Sequence, residues 1–293
     1  MTQSNSDDTR TMVLPDGRTL AFTEHGDPDG VPVIFFHGNP GSRHMRHPDR
    51  SIAARMGARV ITPDRPGYGR SDFQPRRTLL DMAADVSALA DHLGLETFTL
   101  LGISAGGPYV AATAFGLPER VRRGAIVSGA APFDRPDALD DVNDTYRVAY
   151  RTARWPAWLL RPMMGMQMRA ELDNPEPYWN EVLARANEYD RAVLSRPAVA
   201  EQVRAYRPEA VRQGVRGWVH EARLLVKPWG FPLQAVRTEI HLWYWQNDLI
   251  TPEQMGRYLE KMLPNPVPHF HKGGGHFAWV DHWEDILTTL IAD

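Results

Sequence analysis

The chain has 293 residues, 43% apolar and 24% charged, with 24 Pro and 23 Gly spread along it; this is ordinary globular composition for one large domain or two and excludes disordered and collagen-like architectures. A formal net charge of −3 gives no chain-wide attraction to nucleic acid or to an anionic membrane, so a neutral or weakly charged small molecule is the expected partner. The absence of cysteine excludes disulfides, thiolate nucleophiles and cysteine-ligated zinc, and neither a metal nor a cofactor is expected.

The first ten residues are polar and acidic and lack the basic and apolar regions of a secretory signal, and no apolar run approaches the ~18 residues of a membrane span. A cytoplasmic location is expected. Thr11–Leu14 and Thr19–His25 flank Pro15-Asp16-Gly17 and read as a hairpin. Val31–Phe36 is a continuous apolar run ending at His37-Gly38-Asn39-Pro40-Gly41, the pattern of a strand buried on both faces and followed by a loop. Arg50–Met56 has helical character, and Arg59–Thr62 reads as another buried strand.

From Leu79 to Leu93 apolar residues recur every three or four positions, which predicts an amphipathic helix capped by Gly94. Phe98–Ile103 is the next strand, Ala105–Phe115 the next helix and Val121–Ser128 a further strand. Such alternation implies a mostly parallel sheet with helices on both faces. It stops near Pro132 and resumes with a strand at Glu239–Gln246, a helix from Pro252 to Leu263, a strand at Val267–His271 and a helix from Phe277 to Ile291. Between the two blocks lie helical stretches broken by proline, with five of the nine tryptophans and no convincing strand. The expected organisation is a core formed by residues 1–132 and 233–293, with a helical insertion at 133–232 lying over the sheet.

Gly102-Ile103-Ser104-Ala105-Gly106 fits the pattern G-x-S-x-G at a strand-to-helix junction. A tight turn there lifts one side chain above the sheet, and glycines two before and two after it relieve the clash between strand and helix. Ser104 is therefore the candidate nucleophile. A serine hydroxyl needs a base, and of eleven histidines His276 is best placed, after Gly273-Gly274-Gly275 and the last strand. His269 and His271 read as structural, and His37 as a brace for its own loop.

The base in turn needs a carboxylate to hold its tautomer; Asp248, in the loop after Glu239–Gln246, is the leading candidate and Asp134 the rival. The order Ser104, Asp248, His276 suits a strand-edge triad. Two backbone N–H groups should receive the developing negative charge, from Ala105 and from Asn39, since Pro40 has none to give. Asp64-Arg65-Pro66-Gly67-Tyr68-Gly69-Arg70-Ser71-Asp72 reads as a structural loop.

These segments, with Gly275-His276-Phe277, together resemble the α/β-hydrolase superfamily over residues 10–132 and 233–293. The resemblance implies an α/β fold with an eight-stranded, mostly parallel sheet and a helical cap, and acyl hydrolysis through a covalent intermediate. His37-Gly38-Asn39-Pro40 also resembles haloalkane dehalogenases, but their nucleophile is aspartate where this chain has Ser104; epoxide hydrolysis is disfavoured on the same ground.

Fold does not fix substrate. Trp155, Trp158 and Met163, with Met164, Met166, Met168 and Trp179, are expected to line an apolar substrate pocket, while the insertion's arginines read as a solvated face. The leading expectation is a serine hydrolase of small, largely apolar carboxylic esters, lactones included. A carbon–carbon bond hydrolase of dicarbonyl compounds and a ligand receptor retaining the fold stay open.

Overall fold

Pro15-Asp16-Gly17 reverses the chain with Gly17 at φ +86° and the Leu14 N–H donating to the Arg18 carbonyl at 2.7 Å, joining β1 (Arg10–Val13) to β2 (Thr19–Gly26) as an antiparallel pair. In a computed structural model the chain is described at residues 8–134, 138–140 and 142–292. The first seven residues of the polar tail, residues 135–137 and 141 of the expected insertion, and residue 293 lie outside that set. There follow β3 (Val31–Phe36), α1 (Ser51–Arg55), β4 (Ala58–Pro63), α2 (Asp81–His92), β5 (Phe98–Ile103), α3 (Gly107–Gly116) and β6 (Val121–Val127). Gly94 ends α2 with φ +68°.

Six helices come next: α4 (Asp144–Thr152), α5 (Ala157–Asp173), α6 (Pro175–Arg185), α7 (Glu188–Leu194), α8 (Pro197–Ala210) and α9 (Arg216–Leu225), with no strand among the described residues there. The alternation then resumes with β7 (Glu239–Trp245), α10 (Glu253–Met262), β8 (Pro266–His271) and α11 (Trp283–Ile291). The expected last helix is shorter at its start. Residues Ala278–Val280 form a separate 3₁₀ turn, because the chain leaves the His276 loop with Phe277 N–H turned toward a helix of the insertion.

The strands form one sheet in the order β1-β2-β4-β3-β5-β6-β7-β8, parallel except where β2 meets β1 and β4. This is the eight-stranded, mostly parallel sheet that the resemblance implies. Alternation along each strand divides the core in two. Ile34 and Phe36 of β3 join α2, α3 and α10 on one face through Val86, Val110 and Leu259. Val33 and Phe35 face α1 and α11 on the other, through Ile52, Trp283 and Leu287. Helices α7 and α8 extend that second core with Leu194 and Val203, while α5 and α9 enclose a smaller cluster around Tyr68.

Candidate active site

Ser104 stands at the end of β5 with φ +57°, the left-handed region that non-glycine residues seldom adopt. The neighbouring glycines account for that turn. A Cβ on Gly102 would lie 2.4 Å from the Gly106 carbonyl oxygen, and one on Gly106 would lie 2.2 Å from that of Phe36. Only a chain bare at both positions can pass so sharply from strand to helix, and Pro108 then opens α3 where its missing N–H costs little.

His276 lies in the loop after β8 and Asp248 in the loop after β7, both buried at the same edge of the sheet. The imidazole Nδ1 donates to Asp248 Oδ2 at 2.9 Å, which leaves Nε2 free to act as a base. Asp248 also accepts the N–H groups of Ile250 and Thr251 at 2.8 and 2.9 Å, and the Thr251 hydroxyl donates to the Ser128 carbonyl at 2.7 Å. Burial works against the charge on Asp248, but the imidazolium and these hydrogen bonds outweigh it and hold the carboxyl below its usual value. Burial likewise disfavours the His276 cation, yet Asp248, assisted by Asp190, raises the imidazole above an ordinary histidine. Asp134 is exposed, and the imidazole Nδ1 is taken by Asp248 instead.

The loop after β3 crosses close to the serine: a Cβ on Gly38 would lie 3.6 Å from Ser104 Cβ. His37 braces its own loop through Nδ1 and the Gly38 carbonyl at 2.8 Å. Behind it sits a buried ionic cluster that sequence reasoning missed. Glu221 of α9 accepts both Arg65 Nη2 (2.5 Å) and Arg77 Nη2 (3.0 Å), and the Arg65 guanidinium also donates to the carbonyls of His37 and Gly38. The Tyr68 hydroxyl donates to Asn39 Oδ1 at 2.7 Å, fixing the side chain of the residue whose N–H was singled out. Burial opposes ionisation of Glu221, but the two guanidiniums prevail and bring its carboxyl down to about 2. The loop Asp64–Asp72 is structural, as read from sequence. Asp64 accepts the N–H groups of Arg43 (2.6 Å) and Arg70 (2.9 Å), together with the Arg43 guanidinium.

A second omission is nearer the histidine. Asp190 of α7, almost fully buried, accepts the N–H of His276 at 2.9 Å and that of Phe277 at 2.8 Å. Asn187 caps α7 by accepting the Asp190 N–H at 2.7 Å, and its Nδ2 donates to the Asn247 carbonyl at 2.7 Å. One helix turn thus touches both loops that carry the buried pair. Gly275 makes this possible, since a Cβ there would lie 2.4 Å from Asp190 Oδ2. That bare residue before the histidine was the one available signal.

Ser104, Ala105, Asn39 and His276 open onto one cavity of about 400 Å³ between the sheet edge and the inserted helices. Its far wall is mostly apolar, built from Leu160, Met163, Met164, Trp218 and Leu225, with Tyr146 and Gln167 as polar points. Trp155 and Trp158 do not line it. The stripe of α5 that turns inward is Leu160, Met164, Met168 and Glu171, at three- and four-residue spacing, so Trp158 falls on the opposite side and is 71% exposed. Trp155 precedes the helix and is 49% exposed, whereas Trp179 is buried in the same core cluster as Val193 and Leu194. Of the seven residues expected to line the pocket, Met163 and Met164 do so, and Trp155, Trp158, Met166, Met168 and Trp179 do not.

The family model described as alpha/beta hydrolase fold matches residues 31–282. A non-heme chloroperoxidase of Streptomyces lividans is 38% identical over 152 residues, covering 49% of this chain and 55% of that protein. The chain spans about half or less of the length of the first curated relatives it matches. Among solved structures, a hydrolase from Pseudomonas aeruginosa PA01 superposes with TM-score 0.72 at 17% identity, covering 99% of this chain and all of that one. The esterase RhEst1 from Rhodococcus sp. ECU1013 superposes with TM-score 0.68 at 21% identity, covering 98% and 99%. At those identities the likeness concerns the fold. With the family model spanning most of its length, the chain belongs to the alpha/beta hydrolase fold family.

Proposed function

We propose that this chain hydrolyses carboxylic esters of small, largely apolar substrates, lactones included, through an acyl-enzyme formed on Ser104. The observation that carries the reading is the shared cavity: a serine on a left-handed elbow and a buried His276–Asp248 pair open onto the same mostly apolar space. Ser104 Oγ attacks the carbonyl carbon as His276 Nε2 takes its proton, and the carbonyl electron pair moves to oxygen. The N–H groups of Asn39 and Ala105 receive that charge. Return of the pair expels the alcohol, protonated by His276; water then attacks the acyl-serine by the same route, releasing the acid and restoring the hydroxyl. Asp248 stays ionised throughout and stabilises the imidazolium. Residues 133–232 act as a cap whose inner wall sets the acyl preference.

The test is a panel of chromogenic esters of graded acyl length, with lactones and a dicarbonyl compound, read alongside labelling by a serine-directed organophosphate. Ester turnover that disappears in Ser104→Ala, with label mapped to Ser104, supports the reading. Preferred cleavage of the dicarbonyl compound would instead favour the carbon–carbon hydrolase, and tight binding with no turnover the receptor.

A further inference from the structure

Helix α5 has two apolar faces, and only one of them is covered. Leu160, Met164 and Met168 turn inward, but Trp158, Pro162 and Met166 follow one another at four-residue intervals on the outer side, with Leu159 and Met163 beside them. Trp158 and Met166 are 71% and 66% exposed, and Trp155 and Val148 extend the apolar surface beyond the helix. Scattered exposed apolar residues are ordinary; a run of this kind along one helix is not.

Over most of its length the charges on it and just before it have one sign; Glu171, turned inward, and the exposed Asp173 come only in its last turn. From residue 145 to residue 170 the sequence contains five arginines and neither aspartate nor glutamate. Arg147 is held by Asp144 and by carbonyls of its own loop, and Arg154 donates to the Phe133 carbonyl. Arg151, Arg161 and Arg169 are exposed and form no ion pair among the described residues. A chain with net charge −3 thus places a run of positive charge beside the exposed apolar face of α5. Chain-wide charge, from which no membrane attraction was expected, averages this away.

We infer that the outer face of α5 is a docking surface for an anionic lipid surface, on which the helix lies flat with Trp158, Leu159 and Met166 among the acyl chains and Arg161 and Arg169 at the headgroups. Apolar side chains that include tryptophan, bordered by arginine, are what an in-plane amphipathic helix presents to an interface. Arginine also keeps its stem along apolar surface while its guanidinium stays with phosphate. A second copy of the chain is the weaker occupant. A two-fold pairing sets the same patch against itself, which would bring unpaired arginines face to face. No described helix is long and apolar enough to cross a membrane, so attachment is to the surface. Met163 contributes both to this face and to the wall of the cavity, so docking would set the cavity beside the lipid.

The test sediments the full chain with vesicles of phosphatidylcholine alone, or of phosphatidylcholine with about a third phosphatidylglycerol, at low and high salt. Partition to the phosphatidylglycerol vesicles at low salt, reversed by high salt, is expected, with little on phosphatidylcholine. Arg161→Glu and Arg169→Glu should each weaken it by about fivefold or more, and Trp158→Ser and Met166→Ser should each weaken it measurably. All four sites are exposed, and unchanged thermal unfolding will establish that the variants fold. Ser104→Ala should partition like the parent, which separates the surface from the hydrolytic reading. Absence of partition at low salt overturns the inference, as does partition indifferent to either the arginine or the apolar substitutions. A concentration-dependent dimer that Trp158→Ser dissolves overturns it in favour of a second copy.

Discussion

Asp190 holds His276 by the backbone: its Oδ2 accepts the histidine N–H at 2.9 Å while Oδ1 accepts that of Phe277 at 2.8 Å. The imidazole is therefore gripped at two levels, its ring by Asp248 and its main chain by a helix of the insertion. Asparagine at position 190 can accept only one of the two N–H groups and offers an amide proton to the other. With the loop displaced by as little as ~1 Å, the loss should approach ~100-fold in kcat, with KM nearly unchanged. Steady-state kinetics of Asp190→Asn test this; a parental kcat would mean the contact serves stability alone.

The pH dependence has a definite sign. In the proposed mechanism His276 is a base only when neutral, and Asp248 and Asp190 hold its imidazole above the ordinary histidine value. The acid limb of kcat/KM should therefore lie above ~6.5, with activity lost as pH falls through it. Replacing Asp190 by asparagine removes one of the two charges and should move the limb to lower pH. A limb fixed at the same pH in both proteins contradicts the assignment.

The two carboxylates weighed from sequence can be separated directly. Asp248→Asn should lower kcat on the order of 10⁴-fold, since the amide favours the wrong tautomer of His276. Asp134→Asn, on an exposed residue, should leave kcat near that of the parent.

Glu221 offers a stability measurement. Replacing it with glutamine leaves Arg65 and Arg77 buried without their counter-charge, and urea unfolding should report a loss of ~3–5 kcal/mol. Because its carboxyl is depressed to about 2 from 4.5, its contribution is fully present above the higher value and disappears as pH falls toward the lower one. In Glu221→Gln this part of the acid unfolding should be missing.

Acyl preference should respond to the inner wall of α5. Met164→Ala is expected to shift relative specificity toward bulkier esters by ~10–200-fold, the range available to apolar discrimination, while Trp158→Ala leaves it unchanged. Equal loss of activity on every ester in Met164→Ala would mark that residue as packing only.

The core was readable because each of its signals is local. Buried strands such as Phe98–Ile103 are unbroken apolar runs, and the glycines around Ser104 record a clash between neighbouring segments of backbone. Asp248 and His276 could be proposed because strand ends carry them to one edge of a parallel sheet. Asp190 and Glu221 could not, since each acts across a long stretch of sequence on a partner that its own neighbours do not reveal. Trp155 and Trp158 were misassigned for a related reason. Apolar character marks α5 on both sides, and only its packing tells which side is inside.

The Glu221 cluster also ties α9 of the insertion to the core. Lifting the inserted helices away as one body would leave two buried guanidiniums without their counter-charge, and would pull Asp190 from the histidine loop at the same moment. With α9 and α7 both moored to the core in this way, a ligand would have to pass between side chains without the insertion lifting, and Met163, which lines the cavity and is also partly exposed, stands on one such path.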